Sequence, residues 1–135
     1  PAPGSEVCSL TGKRAQQTPE WTGNFGFDFY RDITSSLALD ANLNINYTDS
    51  YLLMANQDPN SEQDSYSLVA GVLGLGSSDG SWRVSLIGDN LTDERVHLTT
   101  GALPLSTTFT GGTGIAYDGF YMRPRNYTLK LEYNF

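Results

Sequence analysis

From Leu37 to Tyr51 the sequence keeps a period of two. Leu37, Leu39, Ala41, Leu43, Ile45, Tyr47 and Tyr51 share one side of an extended chain. Ala38, Asp40, Asn42, Asn44, Asn46 and Thr48 share the other. A helix would scatter these residues around its circumference, so the pattern specifies a β-strand. Asn and Asp are poor strand formers. Three alternating asparagines need water or hydrogen-bonding partners on their side, opposite the apolar residues. The segment therefore reads as a ribbon whose two faces meet different surroundings.

Four other segments carry the strand signal, so five strands are predicted over about 20–33, 37–51, 66–75, 82–91 and 123–135. The first puts Trp21, Gly23, Phe25, Phe27, Phe29 and Ile33 on one face. Its other face holds Thr22, Asn24, Gly26, Asp28, Tyr30 and Asp32. The third is ambiguous, since Val69, Gly71, Leu73 and Leu75 oppose Tyr66, Leu68, Ala70 and Val72, and neither set is polar. The fourth alternates Trp82, Val84, Leu86 and Gly88 with Arg83, Ser85 and Asp89, Ile87 being an exception. The last sets Tyr127, Leu129, Leu131, Tyr133 and Phe135 against Asn126, Thr128, Lys130, Glu132 and Asn134.

The connections alternate in length. Those near Asp32 and at Ser77-Ser78-Asp79-Gly80 are short. Those at 54–64, around Pro59, and at 92–119, rich in Thr and Gly, are long and read as loops. Outer-membrane barrels join their strands in this way, with short periplasmic turns and longer extracellular loops, and carry aromatic girdles at both interfaces. In that scheme Trp21, Tyr47, Tyr51 and Tyr127 fall near the outer rim and Phe29, Trp82, Tyr133 and Phe135 near the inner one. Arg123 and Arg125 lie above the hydrocarbon. The span from Arg125 to Phe135 matches the roughly 9–11 residues of a tilted spanning strand. The fold class is thus all-β, an antiparallel meander of about five long strands.

Charged residues make up 17% of the chain, and the net charge is −7, which argues against a nucleic-acid partner. No stretch approaches the roughly 20 apolar residues of a spanning helix. Spanning strands alternate, so modest mean hydropathy is compatible with a membrane. Residues 1–12 lack a signal-peptide pattern, so for an exported protein the natural N-terminus is expected upstream. Residues 1–19 read as an irregular extracellular loop. Cys8, the lone cysteine, is either an inert small residue or one half of a disulfide whose partner lies elsewhere. Five strands do not close a spanning barrel, which needs about eight or more, and an open edge in lipid is costly. The chain is therefore expected to be a fragment or to take partner strands from elsewhere.

Three stretches, in order, resemble the C-terminal end of TonB-dependent outer-membrane receptors. They are Thr18-Pro19-Glu20-Trp21-Thr22-Gly23 before the first strand, Asn90-Leu91-Thr92-Asp93-Glu94 after the fourth, and Arg123-Pro124-Arg125-Asn126-Tyr127-Thr128 leading to a terminal Phe135. The resemblance covers nearly the whole chain and implies the last five strands of a 22-stranded barrel. It further implies a cell outer membrane of a Gram-negative bacterium and energy-coupled import of siderophore-bound iron or similar bulky nutrients. The implied partners are outer-membrane lipid and lipopolysaccharide, the rest of the barrel with its plug, and the TonB–ExbB–ExbD complex. The plug domain and its TonB box have no counterpart in this sequence. Tyr127, Leu129, Leu131, Tyr133 and Phe135 resemble the terminal signal read by the barrel-assembly machinery, a strand-addition mode of recognition.

The residues expected to face a wet barrel lumen are Asp28, Asp40, Asn42, Asn44, Asn46, Arg83, Asp89, Thr128, Lys130 and Glu132. Asn90 to Glu94 is expected to end a strand through side-chain bonds to nearby backbone. His97 has no metal-ligand spacing around it, and no nucleophile–base–orienter set is found. The chain is accordingly read as a non-enzyme without a cofactor. Two other readings remain open. One is a soluble or surface β-domain, a sandwich for instance, that binds a carbohydrate-like ligand through Tyr and Asn. The other is a barrel unrelated to importers.

Overall fold

The computed structural model describes residues 11–109, 111–112 and 114–135. The expectations for residues 1–10, Cys8 among them, lie outside these. The elements are β1 (Thr22–Asp32), β2 (Leu37–Thr48), β3 (Tyr51–Leu52), a 3-10 turn (Pro59–Ser61), β4 (Glu62–Gln63), β5 (Tyr66–Ser77), β6 (Trp82–Asp89), β7 (His97–Ala102), the four-residue helix α1 (Ser106–Phe109), β8 (Tyr117–Tyr121) and β9 (Asn126–Tyr133). The five long strands form one antiparallel sheet in the order β1-β2-β5-β6-β9, and the short ones pair as β3-β4 and β7-β8. The protein is all-β, built on a five-stranded antiparallel meander.

Register turns the alternation of each strand into two faces of a sheet. Phe27 pairs with Leu43, Leu43 with Gly71, Gly71 with Gly88 and Gly88 with Tyr127. The next row is Phe29, Ala41, Leu73, Leu86 and Leu129. In the row after that, Leu39, Leu75, Val84 and Leu131 follow Arg31. The opposite face carries the rows Asp28, Asn42, Val72, Ile87, Thr128 and Tyr30, Asp40, Gly74, Ser85, Lys130. A slip by one residue would exchange the two sets. This register resolves the ambiguity of β5: Val69, Gly71, Leu73 and Leu75 join the apolar face. Val72 and Ile87 pair with each other on the polar face.

The apolar face is uncovered. Leu131 is 72% exposed, Leu129 66% and Phe25 61%, and among the described residues only Ala38, Leu53 and Val96 are buried apolar side chains. Leu39, Leu43, Leu86, Leu129 and Leu131 lie along one open face and do not converge on an enclosed interior. A sandwich would bury this face under a second sheet. Among the described residues no second layer stands over it, and the two remaining ribbons sit in the long connections.

Local chemistry sets the turns. Thr34 Oγ1 accepts from the Ser36 and Leu37 N–H groups at 3.2 and 3.1 Å, closing the β1–β2 turn. Between β5 and β6, Gly80 adopts φ +76°, a conformation that suits glycine. The Ser77 hydroxyl and the Ser81 N–H, the latter at 3.0 Å, bond Asp79 and hold its carboxyl down at about 2. Ser78 N–H donates to Ser36 O at 3.1 Å, tying the two short turns together.

Several predicted boundaries move. β2 stops at Thr48 rather than 51, because Asp49 Oδ1 accepts from the Ser50 N–H at 2.9 Å and bends the chain. β6 stops at Asp89 rather than 91, because Asn90 takes φ +50°. β9 starts at Asn126 rather than 123, since Pro124 has no N–H for a ladder; it ends at Tyr133. β1 begins at Thr22 and β5 runs on to Ser77. The larger correction concerns the long connections, which are not plain loops. Within 54–64 lie the 3-10 turn and β4, which pairs back with β3 just before it, and the second holds the β7-β8 hairpin with α1. Their Thr-, Gly- and Asn-rich sequences hide the alternation that marks a strand, and β7-β8 contains a register irregularity between His97 and Thr99.

Two glycines on the polar face of β5 let β2 and β6 touch across it. Asp40 and Arg83 lie two strands apart, yet Arg83 Nε donates to Asp40 Oδ1 at 3.1 Å and Nη2 bonds Oδ2. A Cβ at Gly74 would overlap the Asp40 carboxylate, and one at Gly76 would sit 2.7 Å from the Trp82 carbonyl oxygen. Gly76→Ala strikes backbone and is expected to cost about 1–3 kcal/mol. Gly74→Ala strikes a side-chain end and should cost less. Asp40→Ala is expected to relieve the Gly74→Ala penalty and leave that of Gly76→Ala intact. A double-mutant cycle of unfolding midpoints checks this, and equal relief at both glycines would refute it.

Candidate functional site

Two regions concentrate polar chemistry: the polar face of the sheet, and the end where the long connections meet. On the face, side-chain amides of β1 and β2 bond one another across the strands. Asn24 Nδ2 donates to Asn46 Oδ1 at 2.6 Å and to Asn44 Oδ1 at 3.3 Å, and Asn46 Nδ2 donates to Asn44 Oδ1 at 2.6 Å. Asn42 Nδ2 donates to Asp28 Oδ1 at 2.6 Å. The alternating asparagines thereby satisfy each other on an exposed surface, which offsets their low strand preference.

Toward the short-turn end the face becomes ionic. Arg83 bonds Asp40 through two nitrogens and stands 3.7 Å from Glu132 Oε2, while Lys130 Nζ donates to Glu132 Oε1 at 2.8 Å. Isolated exposed pairs contribute roughly 0–1 kcal/mol. Here the charges share partners across β2, β6 and β9, and the two-point Arg83–Asp40 contact fixes geometry as well as charge. Ser85, 1% exposed and between these strands, has an Oγ with no partner among the described residues.

The predicted lumen set is thus brought together in part. On one face Asn44 and Asn46 join Asn24, Asn42 bonds Asp28, and Asp40, Arg83, Glu132 and Lys130 form an ionic chain, three separate side-chain groups. Thr128 lies on the same face opposite Ile87, and Asp89 lies at the end of β6 opposite Asn126. Tyr127, Leu129, Leu131 and Tyr133 alternate along β9, which is an edge of the sheet. Phe135 follows the strand, its ring edge-on to Tyr133 with centroids 5.0 Å apart.

Asn90 to Glu94 does more than end a strand. Asn90 is buried, at 7% exposure. Its Nδ2 donates to Glu94 O at 2.9 Å and to Arg123 O at 3.2 Å, and its Oδ1 accepts from Glu94 N–H at 2.9 Å. Thr92 Oγ1 donates to Ser67 O at 2.8 Å, and Asp93 Oδ1 accepts from Arg125 N–H at 3.0 Å. Asn90 and Asp93 have φ of +50° and +58°, a region that Asn and Asp tolerate better than most residues. Two stretches more than 30 residues apart therefore form one clamp over the ends of β5, β6 and β9. Leu91 folds back onto the apolar face beside Gly71 and Gly88.

Beyond the clamp the two ribbons pack together. Tyr117 Oη donates to Asp58 Oδ2 at 2.6 Å, and the His97 N–H donates to Gln63 Oε1 at 2.7 Å. Val96, at 1% exposure, and Leu53, Ser61 and Gln63 are each buried in this region. His97, read from sequence as a loop residue, begins β7 and stacks obliquely on Tyr121. Burial, and then a hydrogen bond with Tyr66, pushes the Tyr51 phenol up to about 12. Gln63, Asp58 and Tyr117 carried no sequence signal, because their partners lie across two separate connections. The 3-10 element begins where Asp58 Oδ1 accepts from the Asn60 N–H at 2.9 Å. No group of three or more metal-ligating side chains occurs among the described residues.

No family model matches the chain, and neither curated proteins nor solved structures provide a match. The functional reading therefore stands on geometry and on the resemblance of the three stretches.

Asn90→Ala leaves buried backbone groups without partners and puts alanine at positive φ. It is expected to destabilise the clamp by about 1–3 kcal/mol and to raise amide hydrogen exchange in 91–96 and 122–125 first; uniform exchange across all strands would contradict a local clamp.

The contact between the ribbons responds to pH in a defined way. The hydrogen bond from Tyr117, then that from the Asn60 N–H, holds the Asp58 carboxyl below its ordinary 3.8, so its contribution is lost only as pH falls through that lowered value. The same bond to Asp58 raises the Tyr117 phenol above 10.0, so its contribution is complete below pH 10 and lost as pH rises through the raised value. Exchange protection of β7-β8 is expected to stay flat between about pH 4 and 10 and to fall on either side. Tyr117→Phe should abolish the alkaline limb, which NMR-detected exchange would show.

Proposed function

We propose that this chain is part of the wall of a TonB-dependent outer-membrane receptor, which imports siderophore-bound iron or comparably bulky nutrients. One observation carries the reading. Five strands align in register so that a continuous apolar face stays uncovered while the opposite face is tied by asparagine and ionic networks. That pairing suits a wall between hydrocarbon and water, and it suits a soluble sandwich poorly, because exposed apolar patches beyond a few hundred Å² are rare on soluble proteins.

Two further features support it. Among the described residues both edges, β1 and β9, have a neighbour in the sheet on one side only, as the ends of a segment of a larger closed barrel do. The connections alternate, with tight turns at one end and two built-up ribbons at the other, like the periplasmic and extracellular sides of such barrels. In this reading the apolar face meets outer-membrane lipid and lipopolysaccharide, and the polar face lines a lumen shared with a plug. Strands supplied from elsewhere complete the 22-stranded wall. The TonB–ExbB–ExbD complex supplies energy. Tyr127, Leu129, Leu131, Tyr133 and Phe135 on the edge strand present the alternate side chains that the barrel-assembly machinery would engage.

Single cysteines test the two faces of the complete protein in intact cells. Substitutions at Asn44 and Lys130 are expected to react with a water-soluble maleimide. Those at Leu86 and Leu129 should resist it and react after the membrane is solubilised. Equal labelling at all four positions would remove the membrane reading. Uptake of an iron chelate that is abolished by loss of TonB supports the importer. Uptake that persists without TonB favours a barrel of another kind.

A further inference from the structure

The polar face is not uniform. Register puts Tyr66, Leu68, Ala70 and Val72 of β5 on it, beside Thr48, Asn46, Asn44 and Asn42 of β2, and Ile87 of β6 stands beside Val72. Extended strand carries Tyr66 to Val72 over roughly 20 Å. These five residues form an apolar stripe, each half-buried and still presenting surface. At one end the stripe meets the ionic row, where Arg83 reaches Asp40 over Gly74. At the other it opens into a depression of about 320 Å³, walled by Thr48, Tyr51, Tyr66, Val96, Leu98 and Met122.

The lining fixes the chemistry of what fits. No described residue that lines the depression is charged, although the chain carries 8 cationic and 15 acidic residues. The Tyr51 phenol, pushed up to about 12 by burial and then by its hydrogen bond with Tyr66, adds no charge at neutral pH. The asparagine amides beside the stripe bond one another and Asp28, so that flank finds partners within the sheet. A charged group laid in the depression would lose water and meet no opposite charge. An uncharged apolar group would gain by covering the stripe.

We propose that the depression and stripe hold an elongated, uncharged apolar group of the imported cargo, such as an acyl chain, and that Tyr66, Leu68, Ala70 and Val72 select for it. The proposal rests on the reading of the polar face as a lumen wall. It adds to that reading a substrate class, amphiphilic cargo, and the residues that recognise its apolar part.

Protection of single cysteines in the complete protein, in native outer membranes, tests it. The probes are an uncharged ferric trihydroxamate chelate carrying a decanoyl chain and the same chelate carrying an acetyl group. The decanoyl chelate is expected to slow the reaction of Leu68→Cys with a water-soluble maleimide by about tenfold, roughly the effect of covering two methylenes. The acetyl chelate should leave that reaction unchanged. Lys130→Cys, in the ionic row of the same face, should label equally with either chelate, which guards against a general effect of the acyl chain. Ala70→Asp, added to Leu68→Cys, should erase the difference between the chelates. Equal protection by both chelates or by neither, or a difference that survives Ala70→Asp, would overturn the proposal. So would a Leu68→Cys that stays unreactive without any chelate while Lys130→Cys labels, since another part of the protein would then cover the stripe. All these outcomes leave the lumen reading intact. Leu86→Cys labelling as fast as Lys130→Cys would overturn the lumen reading and the proposal together.

Discussion

Backbone N–H and C=O groups in an apolar medium must find partners within the protein, because no water is present to replace them. The ladder joining β1, β2, β5, β6 and β9 meets that demand for the interior strands, and everything else in this molecule depends on its register. The ladder gathers the leucines and phenylalanines into rows and puts the asparagines within 2.6 Å of one another. It also brings Asp40 close enough to reach Arg83. The same demand remains open at β1 and β9, where one side of each strand has no neighbour in the sheet. The open edges and the uncovered face are thus features of one sheet: β1 and β9 each lack a neighbour in it on one side, and among the described residues the apolar rows lie exposed.

The two faces differ in how tightly sequence specifies them. On the apolar face neighbours contribute by area and need no orientation, so the rows mix Phe, Leu, Val, Ala and Gly. The polar face works by directional bonds, each needing a particular donor beside a particular acceptor. Its small residues are correspondingly placed: Gly74 and Gly76 lie where Asp40 and Arg83 must pass over β5. Read on β5 alone, these glycines look like weak points in a strand. Read across three strands, they provide the gap for the longest-reaching ion pair on the face.

Alternation made β1, β2, β6 and β9 legible in the sequence, because period two is a property of one strand and needs no knowledge of its neighbours. β5 was also located, but its faces were not told apart, because both sides of Val69 to Leu75 are apolar and only pairing with β2 and β6 decides which is which. Alternation failed for β3, β4, β7 and β8, whose short ribbons are held by Asp58 to Tyr117 and by Gln63 to His97 rather than by a packed face. The Asn90 motif was read as a strand end from its residue types. Its reach to Arg123 and Arg125 was invisible, since nothing local links segments so far apart in sequence. Local periodicity is written in the chain, whereas contacts made across connections depend on a register that the chain acquires only as the strands pair.

The clamp shows why the remote contacts matter to the sheet. β9 is reached only after the long β7-β8 connection, and closing so long an excursion carries an entropic cost that grows slowly with length. Asn90, placed where β6 ends, bonds the Arg123 carbonyl just before β9 begins. Asp93 bonds the N–H of Arg125, the residue immediately before β9. These bonds fix the entry point and the register of β9 together, so that Gly88 meets Tyr127 and Leu86 meets Leu129. An edge strand left to choose its own register could slip by one residue and turn Lys130 and Glu132 toward the apolar face. Side-chain bonds outside the ladder thereby decide which face of the last strand is which.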